Sequence, residues 1–161
     1  MWEKIIYQDS KMGLFDRFRQ SENLAQNQVT LGPAEAFAAI VLIVVAADGY
    51  LADEEISLLN TVLGRMRMYR SYSGDVMRRM FDKLGGILRR QGSEVLFNAA
   101  IASLPHDLYD TTFAIATDLV LADGEVTPEE EALLGSLCRA LSIPDETVNQ
   151  IINVMLIKNK G

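Results

Sequence analysis

Two residue types that carry much of protein chemistry are almost missing from this chain, which has one cysteine, Cys138, and one histidine, His106. A single thiol can neither close an internal disulfide nor build a cysteine metal cage. With one imidazole beside it, dithiol redox chemistry and a His-rich zinc site are also excluded. Long apolar runs are missing as well. The longest, Ala36 to Ala47, has 12 residues, against the roughly 20 that a membrane-spanning helix needs. Glu35 and Asp48 close it at both ends, so it reads as a buried core helix. No basic, apolar and small-residue sections of a secretory signal stand at the N-terminus, and the expectation is a cytoplasmic protein. No segment alternates polar and apolar residues in the way of a strand, and no Asn-Gly or Asp-Gly hairpin joins β-branched runs. A Gly-rich phosphate loop is absent, and no Ser-His-Asp set can be assembled around His106, which argues against an enzyme.

What is present is ordinary globular composition, 49% apolar and 23% charged over 161 residues, enough for one domain. Residues 1–31 read as an N-terminal extension and linker, and 32–161 as the folded domain. Within the extension, Met12-Gly-Leu-Phe-Asp-Arg-Phe-Arg19 resembles a protein start, with residues 1–11 upstream of it. Leu14, Phe15 and Phe18 can form one turn that docks on the body, with weak membrane contact as the other reading. From Gly32 onward every segment has helical period or helical start signals. Pro33 opens a helix to about Ala47, and a second runs from about Asp53 to Met68 with Ile56, Leu59, Val62, Leu63 and Met66 on one face. Ser73 caps a third over Gly74–Arg90, in which Gly85-Gly86 should loosen the helix. Ser93 caps a fourth to about Leu104, and Pro105 opens a fifth to about Ala122. Thr127-Pro128 opens a sixth to Leu141, and Pro144 opens the last to about Lys158. The fold class is all-α, a compact bundle of about seven helices with short connections.

Charge is unevenly distributed along the chain, whose net charge is -7. Between Arg65 and Arg90 lie eight bases against two acids; between Asp107 and Glu131 lie eight acids and no base. A second acidic group is Asp48, Asp53, Glu54 and Glu55. This balance disfavours nucleic acid as a partner, because phosphate contacts need a net basic face. On the third helix Arg78, Arg79, Lys83, Arg89 and Arg90 fall within an arc of about 140°, opposite Met80, Phe81, Leu84, Ile87 and Leu88. That stripe is either a solvated face or a weak anion or partner surface. In the second case it would meet an oxyanion, an anionic membrane, an acidic partner or acidic loops of this chain or a second copy.

The most specific feature is an internal repeat. Residues 43–68 laid over 118–143 give eight identities in 26 pairs, and each copy reads as apolar helix, Ala-Asp-Gly, four residues, Glu-Glu, apolar helix. Gly49 and Gly124 follow helix ends, where a left-handed residue is needed and glycine adopts it cheaply. A second acid follows each Asp by seven positions, Asp48 to Glu55 and Asp123 to Glu130, so the two carboxylates can converge on one cation. The spacing of Gly, an apolar residue two later and Glu six later matches part of an EF-hand loop. The two earlier EF-hand ligand positions fall on Val44 and Ala46, and on Leu119 and Leu121, which cannot coordinate calcium. The competing reading is architectural, since Thr127-Pro128-Glu129-Glu130 is a capping box that explains Glu130 without a metal. Ala52, at the matching cap position of the first copy, has no capping side chain although Glu55 is retained.

The two Ala-Asp-Gly-x4-Glu-Glu units, Leu104-Pro105 and the closing Leu141-Ser-Ile-Pro-Asp145 resemble the TerB (tellurite-resistance protein B) family over about Pro33 to Leu156. The resemblance implies a seven-helix domain with pseudo-two-fold repeats, an acidic patch and divalent-metal binding in bacterial responses to tellurite or other chemical stress. Carried onto this chain, the metal positions are Asp48, Glu55, Asp123 and Glu130, with Asp118 either an added ligand or a solvated residue. Tyr50 stands where the second copy has Glu125, so the second loop is the favoured site. A donor set of carboxylate oxygens suits Ca²⁺ or Mg²⁺ better than Zn²⁺, and no organic cofactor is expected. The expected function is that of a non-enzymatic metal-binding or interaction module. Its partners would be other stress-response proteins, with a homodimer as an option and peripheral membrane contact a weaker one.

Overall fold

A computed structural model describes residues 29–47, 53–122 and 124–161. The described residues form seven α-helices, two single 3-10 turns and no strand, so the all-α architecture is as expected. The described residues divide into two compact units, Val29–Leu104 and Pro105–Gly161.

The first unit is built around α1 (Pro33–Val45). Pro33 lies in its first turn, and Glu35 Oε1 accepts the Gly32 N–H at 3.0 Å, occupying a donor that the helix itself leaves open. Every residue from Ala36 to Val44 is at most 5% exposed. A helix apolar on all sides has to be central, and α2 (Asp53–Gly64), α3 (Gly74–Gln91) and α4 (Ser93–Ser103) all pack on it. Helix α2 buries Leu59 and Leu63. It stops at Gly64, short of the expected Met68, and Arg67–Tyr69 forms a 3-10 turn instead. The turn carries Tyr69 inward, where its hydroxyl donates to Ala34 O at 2.7 Å. A buried side chain with a satisfied hydroxyl is gained there in place of a further turn of α2, and Met66 is left half-buried.

Helix α3 starts at the expected cap, with Ser73 Oγ accepting the Val76 N–H at 3.2 Å. It runs unbroken through Gly85 and Gly86, contrary to the loosening expected there. Leu84 and Ile87 on either side are buried, and tertiary packing overrides the poor local propensity. The cap of α4 also differs from expectation. Gly92, at φ 92°, is the N-cap, and Ser93 is the first helical residue, its Oγ lying 3.4 Å from Glu94 Oε1. The chain turns from α3 to α4 through one residue in a conformation that favours glycine.

In the second unit Pro105 precedes a 3-10 turn, His106–Leu108, and α5 (Tyr109–Leu121) begins after it, later than the proline suggests. Helix α5 packs on α6 (Pro128–Leu141) and α7 (Asp145–Lys158). Two threonines lie fully buried on α5. Thr112 Oγ1 donates to Leu108 O at 2.6 Å and Thr117 Oγ1 to Phe113 O at 2.7 Å, so neither hydroxyl is left unsatisfied in the core. Helix α6 buries Leu133, Leu134, Leu137, Cys138 and Leu141 and ends at Ser142 in the left-handed region, φ 51°. Charge divides sharply between the units. Val29–Leu104 has eight acids and eight bases, whereas Pro105–Gly161 has ten acids and three bases and holds the whole net charge of -7.

Candidate functional site

The second acidic loop joins α5 to α6. Gly124 has φ 77°, the left-handed conformation expected after the helix end, and its N–H donates to Leu121 O at 3.1 Å. Thr127 then caps α6 reciprocally: its Oγ1 accepts the Glu130 N–H at 3.1 Å, and its own N–H donates to Glu130 Oε1 at 3.0 Å. The capping box read from the sequence is therefore formed. It accounts for the position of Glu130 and engages its Oε1. Glu125 and Glu129 are exposed beside it. Asp123 lies outside the described residues, as do Asp48 and Gly49 of the first loop.

The first loop enters α2 at Asp53, which aligns with Pro128, the start of α6, so the repeat register holds at the second helix of each copy. Glu55 is half-buried in the first turn of α2 behind Asp53 and Glu54, where acids are favoured by the exposed N–H groups of the helix start. Among the described residues no three His, Cys, Asp or Glu side chains converge on one point. The described carboxylates are hard oxygen donors of the kind that Ca²⁺ and Mg²⁺ take.

Asp118 has a structural partnership that the sequence reading did not supply. Its Oδ1 accepts from Lys158 Nζ at 3.0 Å and from Asn159 Nδ2 at 2.8 Å. Asn159 Nδ2 also donates to Met155 O at 2.9 Å, so the contact joins α5 to the last turn of α7. Opposite charges 40 residues apart carry no local signal, which is why spacing arguments pass over them.

On the basic face Arg78, Arg79, Lys83, Arg89 and Arg90 are all exposed, as their arc on the helix predicts. Arg78 pairs with Asp75 at 3.0 Å one turn earlier on α3. Lys83 reaches across to Glu35 Oε2 at 2.7 Å. Burial alone would raise the Glu35 carboxyl, but the Gly32 N–H and the Lys83 ammonium outweigh it and hold it below its ordinary value. No ion pair among the described residues engages Arg79, Arg89 or Arg90. The Arg90 guanidinium lies over Gly86, 3.1 Å from where a Cβ would stand. Cys138 is 8% exposed, and burial, then the Asp145 carboxylate, push its thiol up. It packs as the small hydrophobe that its place among Leu134, Leu137 and Leu141 suggests.

Seven helices among the described residues, with an acidic helix–loop–helix unit repeated in the sequence, define a narrow class. Residues 34–153 match the family model described as "Tellurite resistance protein TerB", and the chain belongs to that family. Neither a curated protein nor a solved structure matches it. Among the described residues, no helix is long and apolar enough to cross a membrane.

Proposed function

We propose that this protein is a non-enzymatic interaction module of a bacterial response to tellurite or related chemical stress, and that its acidic loops hold a divalent cation. The observation that carries this reading is the repeated Ala-Asp-Gly-x4-Glu-Glu unit, in a chain that the family model covers over residues 34–153. At the second loop Asp123 and Glu130 are the principal ligands, with Oε2 of Glu130 facing the ion while Oε1 stays in the cap. In the first loop Asp48 and Glu55 play the same parts. A bound cation supplies positive charge to a strongly acidic surface and thereby selects partners by charge. With few ligands from each loop, Ca²⁺ or Mg²⁺ is held weakly and retains several waters. Asp118 is committed to Lys158 and Asn159, and its part is to steady α5 before the loop.

A second reading is favoured by the cap at Glu130 and the exposed bases of α3. In it the acids are helix starts without metal, and the protein is a scaffold whose α3 face meets an acidic partner. Calorimetric titration of chelator-treated protein with Ca²⁺, Mg²⁺ and Zn²⁺ separates the two. Saturable Ca²⁺ or Mg²⁺ binding that disappears in Asp123→Asn/Glu130→Gln is expected. No heat and no change in melting temperature at millimolar metal would leave the scaffold reading.

A further inference from the structure

Helix α3 carries its bases in two parallel rows. Arg78 and Arg89, and likewise Arg79 and Arg90, stand three turns apart, ~16 Å along the axis, so each pair falls on one side of the helix. On this face Arg78 is engaged by Asp75 and Lys83 by Glu35. Arg79, Arg89 and Arg90 are exposed and take part in no ion pair among the described residues, and Asp82 is the other acid of the helix. Arg90 is moreover held in place. Its guanidinium lies back over the buried Gly86, with both terminal nitrogens 3.1 Å and the central carbon 3.4 Å from where a Cβ would stand. A glycine one turn earlier leaves it that seat, whereas a Cβ at Gly85 would meet nothing within 4 Å. A guanidinium already laid down loses less freedom on meeting a carboxylate than a free side chain does.

We propose that this face receives the acidic start of α6 from a second copy of the chain, a head-to-tail contact in which Arg79, Arg89 and Arg90 of one copy meet Glu125 and Glu129 of the next. The charge of the molecule supplies the complement. No Lys or Arg occurs between Pro105 and Cys138, and Glu125, Glu129, Glu130 and Glu131 form the densest acidic stretch of Pro105–Gly161. Glu125 and Glu129 are exposed and take part in no ion pair among the described residues. Asp145 and Glu146 are a weaker counterpart, because Arg139 and Asp145 both act on the Cys138 thiol and so share one end of that unit. Both copies carry -7, but at physiological salt the Debye length of ~8 Å is shorter than the distance between two protein centres, so the general repulsion is screened while side chains in contact are not. An anionic membrane offers these bases the same charge but repels the -7 of Pro105–Gly161, which in a second copy is the source of the attraction. Exposed pairs contribute little each, so the association is weak, with a dissociation constant on the order of 0.1–1 mM. It rests on the scaffold reading of the α3 face and not on a bound cation.

Sedimentation equilibrium of the 161-residue chain with chelator present tests it. In ~0.05 M NaCl the average mass of the wild type is expected to rise as the chain approaches ~1 mM. It should return to that of the monomer in ~1 M salt, where the Debye length is ~3 Å. Arg79→Glu/Arg90→Glu and Glu125→Lys/Glu129→Lys should each weaken the association about tenfold or more. Mixed in equal amounts the two variants should associate again, since the bases of the second meet the acids of the first, and that recovery shows that both are folded. Asp145→Lys/Glu146→Lys makes the same change in net charge as Glu125→Lys/Glu129→Lys and should not weaken the association. Gly86→Ala, which displaces the Arg90 guanidinium, should weaken it about threefold, and Gly85→Ala should leave it unchanged. A wild type that stays monomeric, equal weakening by the two acidic reversals, or no recovery on mixing overturns the proposal. In that event, binding of polyglutamate through Arg79 and Arg90 leaves a different acidic partner for α3, and binding to phosphatidylserine vesicles assigns the face to a membrane. Binding of neither ends the scaffold reading of α3 as well.

Discussion

Glu130 has two duties open to it that its two oxygens separate. Thr127→Ala removes an acceptor for the Glu130 N–H and should lower stability by ~1 kcal/mol, as lost N-caps do. Glu130→Gln leaves an amide oxygen for the Thr127 N–H, so urea unfolding should register a loss of only a few tenths of a kcal/mol, from the charge at the helix start. Equal losses from the two changes would show that the carboxylate charge, not the hydrogen bond, holds the turn. Glu35 allows a test with a defined pH window. Its folded value lies below the ordinary 4.5, so the carboxylate contributes stability above that pH, and the contribution fades as pH falls through the lower folded value. Lys83→Met should therefore be less stable than wild type near neutrality, by at most ~1 kcal/mol for so exposed a pair. The gap should close in acid once the carboxyl is protonated. A gap that persists unchanged to pH 3 would assign it to the lysine's packing.

At the scale of elements, the glycines of α3 and of the second loop should respond in opposite ways. A Cβ at Gly85 meets nothing within 4 Å, and the position is helical, so Gly85→Ala should stabilise by ~0.5–1 kcal/mol. At Gly124 there is also open space, but φ is 77°, and Gly124→Ala should cost ~1–2 kcal/mol through the backbone alone. Thermal melts of the pair decide it, and a neutral Gly124→Ala would mean the loop adopts another conformation in solution. The helices themselves were legible where local signals agree with packing. The apolar run of α1, the stripe of α3 and the Thr127 capping box each announce themselves within a few residues. The misread boundaries lie where a contact remote in sequence decides, as when Tyr69 ends α2 by bonding to Ala34, or where a single glycine such as Gly92 turns the chain. Of the second acidic loop, the left-handed Gly124 and the Thr127–Glu130 cap were legible in the sequence. The engagement of Asp118 by Lys158 and Asn159 was not, since it is a contact between α5 and α7 that only the folded chain creates.

For the whole molecule, the division of charge matters more than its total. All of the net -7 resides in Pro105–Gly161, while Val29–Leu104 is balanced. Raising NaCl from 0.01 to 0.15 M shortens the Debye length from ~30 to ~8 Å, which relieves repulsion within Pro105–Gly161 and weakens ion pairs within Val29–Leu104. Amide exchange should then slow in α5–α7 with no matching gain in α1–α4, and uniform slowing would show that the two units respond as one. Membership of the tellurite-resistance family does not itself fix a chemistry; the charge division does bear on one. An acidic body draws in a counter-ion atmosphere rich in divalent ions before any discrete site fills. A loop of modest intrinsic affinity on such a body loads at a lower bulk concentration than the same loop on a neutral one, and it unloads as monovalent salt rises. On the proposed cation reading, ionic strength thus becomes a second ligand for this protein, acting on the same acids from outside.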